Sequence, residues 1–312
     1  MGRANREGGR IAIFSPNLLL TIAIESRGEG SDEIHLHAGG QGVWAARAAS
    51  ELGANPAICG LIGGETGAVL GPLLERLPGR RRLVRTETAG GCHIFDRRGG
   101  ERELVSRMAA EPPSRHQRDD LFSLTCAEAL ESEVLVICNP DRPDAWPLDV
   151  YASLASDVGD NGTPVLVDLS SPRLDSALEG SPHLVKINDW ELAEFVSGGV
   201  DGTERLLAAA ERLRERGAAN VIITRGGDPA LVLHGDSASW LEPPRFERGS
   251  REGCGDTMMG ALAAGLALGR PWEQALVTAA AAGAVNFLRH GLGSGRRSVI
   301  EEVAAEVELR PI

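Results

Sequence analysis

The sequence predicts an α/β protein in which helices flank a doubly wound, mostly parallel β-sheet. Short apolar runs alternate along the chain with stretches of helical periodicity, which is the pattern of repeated β–α–β units. The 312 residues suffice for two domains or for one large α/β unit with an appendage. Short polar strands separated by glycine-rich turns predict such an appendage, a small β-sheet of its own.

The composition excludes several classes of protein. With 42% hydrophobic and 24% charged residues, the chain is typical of globular proteins. A net charge of −12 argues against a sequence-independent nucleic-acid binder, which needs a basic face. The five cysteines form no CxxC pair, so free thiols in a reducing cytosol are expected. No apolar stretch reaches the roughly 20 residues of a membrane span. We therefore expect a cytoplasmic protein with no membrane partner and no nucleic-acid partner.

The first part of the chain supplies strands of the body and the whole of the small sheet, which we call the lid. Residues 1–10 are rich in Gly and Arg without an apolar region, so a disordered lead is expected there and not a signal peptide. Residues 11–15 form an apolar run typical of a buried strand. Gly53 is expected to end the first helix as its C′ residue. The predicted strands are 11–15, 18–25, 33–37, 56–62 and, as antiparallel strands, 82–88, 92–96 and 101–107; the predicted helices are 43–52 and 66–77.

The rest of the chain continues the alternation of strands and helices. The predicted strands are 134–138, 164–169, 184–187 and 221–224, followed by a hairpin at 230–234 and 239–242; the predicted helices are 146–158, 191–196, 203–216 and most of the chain after 255. The lid is assigned residues 18–37 and 85–107, and the body residues 11–17, 38–84 and 108–312. In such sheets a ligand lies at the carboxyl ends of the strands, so the lid is expected to cover that edge.

The segment GCGDT at residues 253–257 precedes a strongly apolar helical stretch. Its glycines let backbone N–H groups approach a ligand, and the helix adds the positive end of its dipole, so together they predict an anion hole for a phosphoryl group. Asp256, at the mouth of that hole, is placed to accept a proton from an attacking hydroxyl. The alternative is a glycine turn in which the aspartate caps the helix.

Two further segments carry candidate ligand-binding residues. GGQG at residues 39–42 is a glycine-rich turn before a helix, which is a weak signal by itself. In KINDWE at residues 186–191, Asn188 and Glu191 share one face of a helix start, where an amide and a carboxylate can hold a hydrated Mg²⁺ with substrate phosphates. The alternative is a capping box, with Asn188 at the N-cap. Lys186 is the only lysine among 32 basic residues.

These motifs, in this order, resemble the PfkB family of sugar kinases, in the branch of 1-phosphofructokinase and tagatose-6-phosphate kinase. The resemblance extends from about residue 11 to about residue 295, and the glycine-rich first motif and the GxGD second motif together are specific. The matching segments are SPN at 15–17, AGGQGVWAARAASELG at 38–53, GLIGGETG at 60–67, KINDWEL at 186–192, VIITRGGDPALV at 221–232 and GCGDTMMGALAAGLALG at 253–269.

The resemblance implies a ribokinase-like fold with a β lid that often forms a dimer clasp, and Mg²⁺·ATP as phosphoryl donor. It implies Asp256 as the base and Gly253, Cys254 and Gly255 as the anion hole. Asn188 and Glu191 would serve Mg²⁺ through water or phosphate. The nucleotide side would comprise Lys186, Asn188, Glu191, Thr224, Gly226, Gly283 and Asn286, and the acceptor side Asn17, Gly39, Gly40, Gln41 and Trp44.

The sequence departs from the family mainly on the acceptor side. The family's GGKGxN is GGQGVW here, so its Lys is Gln41 and its Asn is Trp44; the sugar-binding Asp of NPxxD is Thr21, and the Arg of TRxN is Ala89. A desolvated charged contact is worth on the order of 2–5 kcal/mol. Loss of two should lower affinity for a phosphosugar by at least about 10³-fold. We therefore expect fructose 1-phosphate, fructose 6-phosphate and tagatose 6-phosphate to be poor acceptors, unless Arg107 or Arg142 holds the phosphate instead.

Several side chains keep two interpretations at this level. Trp44 would either stack on an acceptor ring or fill the space of the lost acceptor. Cys254 would either be a redox-sensitive thiol or a small side chain that fits the anion hole. His35 and His37, which alternate on a lid strand, would contact substrate or lie exposed. The family's DTxGAGD begins with Ser250, and because that lost Asp accompanies activation by monovalent cations in relatives, K⁺ dependence is not expected.

Two hypotheses for the function follow. The first is a PfkB-type kinase with a changed acceptor, a sugar, polyol or nucleoside, acting as a homodimer joined through the lid. The second is a catalytically idle relative that binds a nucleotide or metabolite and serves regulation or interaction. Asp256 discriminates between them, because a kinase needs its carboxylate and a binding module would tolerate Asn.

Overall fold

A ten-stranded sheet forms the centre of the computed structural model, which describes residues 8–28 and 30–312. Its order is β14-β13-β12-β11-β10-β9-β8-β1-β4-β5. The seven strands from β11 to β5 run parallel, whereas β12, β13 and β14 extend the sheet in antiparallel pairing. The strands are β1 (Arg10–Asn17), β4 (Asn55–Gly63), β5 (Arg80–Thr86), β8 (Val134–Cys138), β9 (Val165–Asp168), β10 (Leu184–Asn188), β11 (Asn220–Arg225), β12 (Asp228–His234), β13 (Ser237–Glu242) and β14 (Glu308–Pro311).

Helices cover both faces of this sheet. Because successive strand residues point to opposite faces, Ile11 and Ile13 of β1 enter one hydrophobic cluster while Ala12 and Phe14 enter the other. The first cluster is covered by α1 (Gln41–Glu51), α2 (Gly64–Glu75), α8 (Cys254–Ala267), α9 (Trp272–Phe287) and α10 (Arg297–Ala304). The second is covered by α3 (Arg115–Leu130), α4 (Asp149–Asp160), α5 (Arg173–Glu179), α6 (Asp189–Val196) and α7 (Thr203–Glu215). With both faces buried, the central strands are continuous apolar runs such as VLVIC in β8.

The lid is a separate four-stranded sheet of order β3-β2-β6-β7, built from β2 (Leu19–Gly28), β3 (Ser31–Gly39), β6 (Gly91–Asp96) and β7 (Glu103–Met108). Thr21 lies opposite His37 and His93 in the neighbouring strands, so these three side chains share one face, which is turned to the body. The opposite face carries apolar side chains that remain exposed, among them Ile34, Leu36 and Met108.

The structure confirms the fold class, a mostly parallel sheet flanked by helices with a second, smaller sheet. It differs from the predicted elements at one strand in particular. Residues 82–88 are not an antiparallel lid strand, because β5 pairs in parallel with β4 at the edge of the large sheet. Residues 85 and 86 therefore belong to the large sheet, although the predicted lid range began at 85. The division into body and lid otherwise stays a prediction.

Three elements escaped the sequence analysis. Helix α3 is polar over most of its surface, and its start is fixed by a capping box between Ser114 and Gln117 and not by apolar periodicity. The short helix α5 and the edge strand β14 were also missed. At the amino end, Arg10 begins β1 and pairs with Asn55, so the disordered lead does not extend to that residue. Residues 1–7 of the lead lie outside the described residues.

Two smaller predictions can be compared with the structure. Gly53 adopts φ 93° directly after α1 and donates its N–H to the Ser50 carbonyl, which confirms it as the residue that ends the helix. All five cysteines are unpaired, as expected. In the part of the chain that the structure describes, no helix has both the length and the apolar character needed to cross a bilayer.

Candidate active site

The parallel strands bring several polar residues to one edge of the large sheet, the edge formed by their carboxyl ends. Asn17 is the last residue of β1, Asp168 of β9 and Asn188 of β10. The amino end of α8 lies at the same edge, because a Cβ atom on Gly255 would lie 3.1 Å from Lys186 Nζ of β10. We call this edge, with the lid beside it, the crevice.

The start of α8 has the features of an anion-binding helix terminus. Gly253 is the N-cap residue and has φ 69°, a left-handed conformation that favours glycine. No side chain caps the helix. N–H groups at a helix start lack intrahelical acceptors and can bind an anion, and here the Cys254 N–H already donates to the Arg251 carbonyl over 3.3 Å. Asp256 is the third residue of the helix, and the interpretation of this aspartate as the N-cap is therefore wrong.

A buried ion pair lies directly beside this helix terminus. Lys186 Nζ is 2.8 Å from Asp168 Oδ2, and both side chains are almost completely buried. Burial alone would lower the pKa of the Lys186 ammonium, but Asp168, Asp256 and Glu191 together raise it above its ordinary value. The lysine is therefore held charged next to the proposed anion hole.

Asp256 completes this group of charges. Burial, assisted by the negative charge of Asp168 and opposed by Lys186, raises the pKa of its carboxyl to about 7. A carboxyl with a pKa near neutrality can both accept a proton from a hydroxyl and release it again, which is the property of a general base. Asp168 was not found in the sequence, although an acidic residue at the carboxyl end of an apolar strand is a usable signal.

Asn188 and Glu191 form the capping box that was the alternative interpretation. The Glu191 N–H donates to Asn188 Oδ1 over 2.8 Å, and Asn188 Nδ2 donates to Glu191 Oε2 over 2.6 Å. Burial, assisted by Asp168, raises the pKa of the Glu191 carboxyl. The pair thus begins α6, and Glu191 still places a carboxylate oxygen near the Lys186–Asp168 pair.

The remaining nucleotide-side candidates fall into two groups. Thr224 and Gly226 lie at the end of β11, where Gly226 has φ 64° and the Arg251 guanidinium lies over it. Gly283 and Asn286 lie behind the anion hole and support it. Asn286 Nδ2 donates to the Glu252 carbonyl and Oδ1 accepts from the Gly293 N–H, each over 2.8 Å. The amide of Asn286 is therefore already engaged within the protein.

Cys254 lies between Asn286 and the preceding loop. Burial raises the pKa of its thiol, although a hydrogen bond from Asn286 acts in the opposite direction. A raised pKa favours the interpretation of a small side chain that fits the anion hole, and the redox sensitivity of Cys254 stays an untested prediction.

On the acceptor side, the glycine turn holds its place by contacts within the protein. Gly40 is the N-cap of α1 with φ 104°. The side chain of Gln41, which stands where the family has Lys, accepts a hydrogen bond from the Asn139 N–H over 2.8 Å. Asn17 is buried, and its Oδ1 has no hydrogen-bond partner among residues 8–28 and 30–312. Gly39 packs against the Thr21 side chain.

Trp44 lines a cavity of about 100 Å³ between the lid and the body. The lid contributes Thr21, His37, Arg97 and Arg102, α1 contributes Trp44 and Arg47, and the loops around α8 and α9 contribute Ser250, Glu252, His290 and Leu292. The tryptophan is partly exposed and forms a wall of the cavity. His37 lines this cavity, whereas His35 is 3.4 Å from Glu33 on its own strand. The three arginines were not found by sequence analysis.

The two arginines considered as substitute phosphate ligands are already paired. Arg107 donates to the Asp141 carbonyl over 2.6 Å and lies 3.1 Å from the Asp141 carboxylate. Arg142 binds Asp144 through two contacts of 2.9 and 3.1 Å. Both guanidinium groups therefore already have a carboxylate partner within the protein.

An aspartate of raised pKa beside a helix terminus and a buried lysine is a combination that phosphoryl transfer can use. The pattern described as pfkB family carbohydrate kinase matches residues 23–298, and the chain belongs to this family. The family assignment, made above from sequence motifs, is confirmed.

Relatives agree with this assignment. The chain is 25% identical over 284 residues to 1-phosphofructokinase of Haemophilus influenzae, covering 90% of each protein. It is 27% identical over 210 residues to D-tagatose-1-phosphate kinase of Bacillus licheniformis, covering 67% of this chain and 62% of that protein. A solved variant of phosphofructokinase-2 from Escherichia coli superposes with a TM-score of 0.82 at 25% identity, covering 96% of this chain and 99% of the other. These relatives support the prediction of an ATP-dependent carbohydrate kinase.

Proposed function

We propose that the protein transfers the γ-phosphoryl group of Mg²⁺·ATP to a hydroxyl of a sugar or sugar-like molecule, with Asp256 as the base. The observation that carries this proposal is the Asp256 carboxyl, which is partly exposed and has a pKa raised to about 7, mainly by desolvation, at the uncapped amino end of α8. Phosphoryl transfer depends mainly on positioning and on charge stabilisation, and this edge of the sheet supplies both.

The chain's own groups have distinct roles in this proposal. Asp256 accepts the hydroxyl proton as the acceptor oxygen bonds to phosphorus and the bond from phosphorus to the ADP oxygen breaks. The N–H groups at Gly253, Cys254 and Gly255 and the Lys186 ammonium stabilise negative charge on the transferring group. Asp168 holds Lys186 in place. Thr224 and Gly226 border the nucleotide, and Gly283 and Asn286 support the anion hole from behind.

The residues fit a magnesium ion that is held mainly by substrate. No three His, Cys, Asp or Glu side chains of residues 8–28 and 30–312 are grouped to ligate a metal. Mg²⁺ in kinases commonly relies on phosphate oxygens, water and one or two carboxylates, and Glu191 with Asn188 would hold it in this way. When bound, the ion neutralises charge on the phosphates.

The acceptor is proposed to differ from the standard phosphosugars. Gln41 and Ala89 carry no charge, and Arg107 and Arg142 are engaged by carboxylates. Asn17, with its unpartnered Oδ1, and the turn at Gly39 and Gly40 remain to orient an acceptor hydroxyl, and Trp44 offers a flat wall. The exposed apolar face of the lid supports the proposed homodimer, and the five unpaired thiols support a cytoplasmic location.

A specific observation favours the alternative of an idle relative. Asn188 and Glu191 satisfy each other in a capping box, and Gln41 is tied to Asn139, so both groups are less available to ligands. The two functions are separated by measuring ADP release from Mg²⁺·ATP across free sugars, polyols, nucleosides and phosphosugars. Turnover with one acceptor, lost in Asp256→Asn, supports the kinase. Nucleotide binding without turnover on the whole panel supports the idle relative.

A further inference from the structure

The cavity beneath the lid collects guanidinium groups from three separate segments of the chain. Arg47 comes from α1, Arg97 directly follows β6, and Arg102 precedes β7. Two carboxylates accompany them, Glu252 in the cavity wall and Glu25 beside Arg97. Three cations face two anions in a partly enclosed space, so the cavity is electropositive within a chain whose net charge is −12.

Arg97 and Arg102 are anchored and fix the lid on the body. Arg97 donates to the His290 carbonyl and contacts its Nδ1, each at 3.0 Å, and lies 3.5 Å from Glu25. Arg102 pairs with Glu252, and its guanidinium lies 3.5 Å from the centre of the Phe95 ring. Burial, together with Arg97, lowers the pKa of Arg102 to about 10. These contacts hold two positive charges at the lid side of the cavity.

Arg47 differs from the other two because it has no partner. Its side chain is partly buried, yet it makes no hydrogen bond or ion pair with any of the residues that the structure describes. Burial, assisted by Arg289, lowers the pKa of this arginine. An unpaired, partly desolvated guanidinium is costly, and an anionic ligand would relieve that cost.

The cavity borders the proposed reaction centre, because it is lined by residues close to Asp256 in sequence and by a residue next to Gly253. Ser250 and Glu252 line it and lie a few residues before Asp256. Leu292, also in its wall, is the side chain that a Cβ atom on Gly253 would meet at 3.2 Å. Trp44 and Thr21, in the acceptor-binding segments, complete the wall. A molecule whose anionic end lies among the arginines can thus extend a hydroxyl towards Asp256.

We propose that this cavity is an anion subsite, in which Arg47, flanked by Arg97 and Arg102, binds a carboxylate or phosphate group on the acceptor. The inference rests on the proposed kinase function and defines its acceptor as an acidic, sugar-like molecule. The anion lies under the lid and not at the glycine turn where Gln41 replaces the family's lysine. The acceptor is thereby selected by a different set of cations.

The test measures binding by calorimetry in the absence of nucleotide, with pairs of molecules that differ by one charge. Gluconate is compared with glucitol, and fructose 1-phosphate with fructose. We expect the anionic member of at least one pair to bind about tenfold or more tightly, since it gains a charge-assisted hydrogen bond that the neutral member lacks. Arg47→Gln removes this preference and Arg47→Lys retains part of it. Arg205→Gln, at an exposed arginine of α7, leaves it unchanged.

Every outcome decides for or against the subsite. Equal affinity for charged and neutral members in the wild type, or no binding of the anionic members at millimolar concentration, overturns it. So does a preference that survives Arg47→Gln. If Arg47→Gln does not fold, the wild-type pairs and Arg47→Lys still decide. Anion binding without ADP release would contradict the kinase function and support the anion subsite. Turnover of neutral acceptors without a preference for anions would support the kinase function and contradict the anion subsite.

Discussion

The two sides of the crevice differ in how their polar groups are satisfied. On the nucleotide side, Lys186 pairs with Asp168, and Asn188 pairs with Glu191. On the acceptor side, Asn17 Oδ1 and the Arg47 guanidinium have no partner among the residues that the structure describes. The polar side chains of the nucleotide side are therefore held in place by each other, whereas those of the acceptor side have hydrogen-bonding capacity left for a ligand. The proposed phosphoryl-transfer chemistry and the proposed change of acceptor therefore lie on opposite sides of one crevice.

The largest effect is expected from removing the proposed base, Asp256, on the nucleotide side. Asp256→Asn should lower kcat by about 10²–10⁴-fold, the usual contribution of general base catalysis. The fold should persist, because Asn relieves the burial of a charge. Rates of ADP release and thermal unfolding are measured together, with Asp201→Asn, at an exposed position, as the matched control. A variant with unchanged kcat would exclude Asp256 as the base.

The next effect tests whether the nucleotide side is held by its ion pair. Asp168→Asn leaves the buried Lys186 without its closest partner and should reduce the free energy of unfolding by about 3 kcal/mol. The same change removes a negative charge that raises the pKa of Asp256, so the midpoint of the pH–rate profile should move to lower pH. Asp175→Asn, which breaks the exposed pair with Arg216, should cost less than about 1 kcal/mol. Equal losses in the two variants would contradict this account.

The pH dependence follows from the raised pKa of Asp256. Burial places this pKa at about 7, and because only the carboxylate accepts a proton, kcat/KM should fall about tenfold per pH unit below that value. The folded state binds more protons than the unfolded state between the ordinary pKa and about 7, so the Asp256 contribution to stability should decrease as pH rises through that window. The Asp256→Asn variant should lack this decrease in thermal unfolding. The raised pKa of Asp256 should appear as a change in rate between about pH 5 and 8. A rate that stays constant over this range would argue against the raised pKa.

A smaller effect tests the acceptor side. Gln41→Lys restores a cation at the glycine turn and should raise kcat/KM for fructose 1-phosphate by about tenfold, which is a modest gain because Asn139 loses its hydrogen bond. Gln274→Lys, at an exposed position of α9, adds the same charge elsewhere and should have no effect. Equal gains in both variants would mean that net charge, and not position, governs the acceptor.

The last effect concerns assembly. The exposed apolar side chains of the lid predict that Ile34→Asp converts a dimer of the 32.9 kDa chain to a monomer. Val299→Asp, at an exposed apolar residue of α10, should leave the mass unchanged. If light scattering shows that the wild-type protein is a monomer, the lid face is not a dimer contact.

Most of the fold could be predicted from the sequence, because buried strands and amphipathic helices produce local patterns of apolar residues. The prediction failed at β5, whose RRRLVRT sequence is too polar to resemble a buried strand, and at α3, whose start depends on a capping box. The site was found where one short segment holds the chemistry, as at Asp256. Asp168 and Arg47 were missed because their meaning arises only when distant segments meet. Among 32 basic residues with a single lysine, no arginine stands out.

The most direct test of the account is the rate of ADP release with paired acceptors in one assay. Wild-type protein, Mg²⁺·ATP and the acceptor panel are compared with fructose 1-phosphate. We expect turnover of at least one other acceptor, abolished by Asp256→Asn. Fructose 1-phosphate should be used at least about 10³-fold less efficiently, because the two cations that the family places at Gln41 and Ala89 are absent and the arginines under the lid lie elsewhere. Efficient phosphorylation of fructose 1-phosphate, or the absence of ADP release with every acceptor, would contradict the account of a preserved nucleotide side and a changed acceptor side.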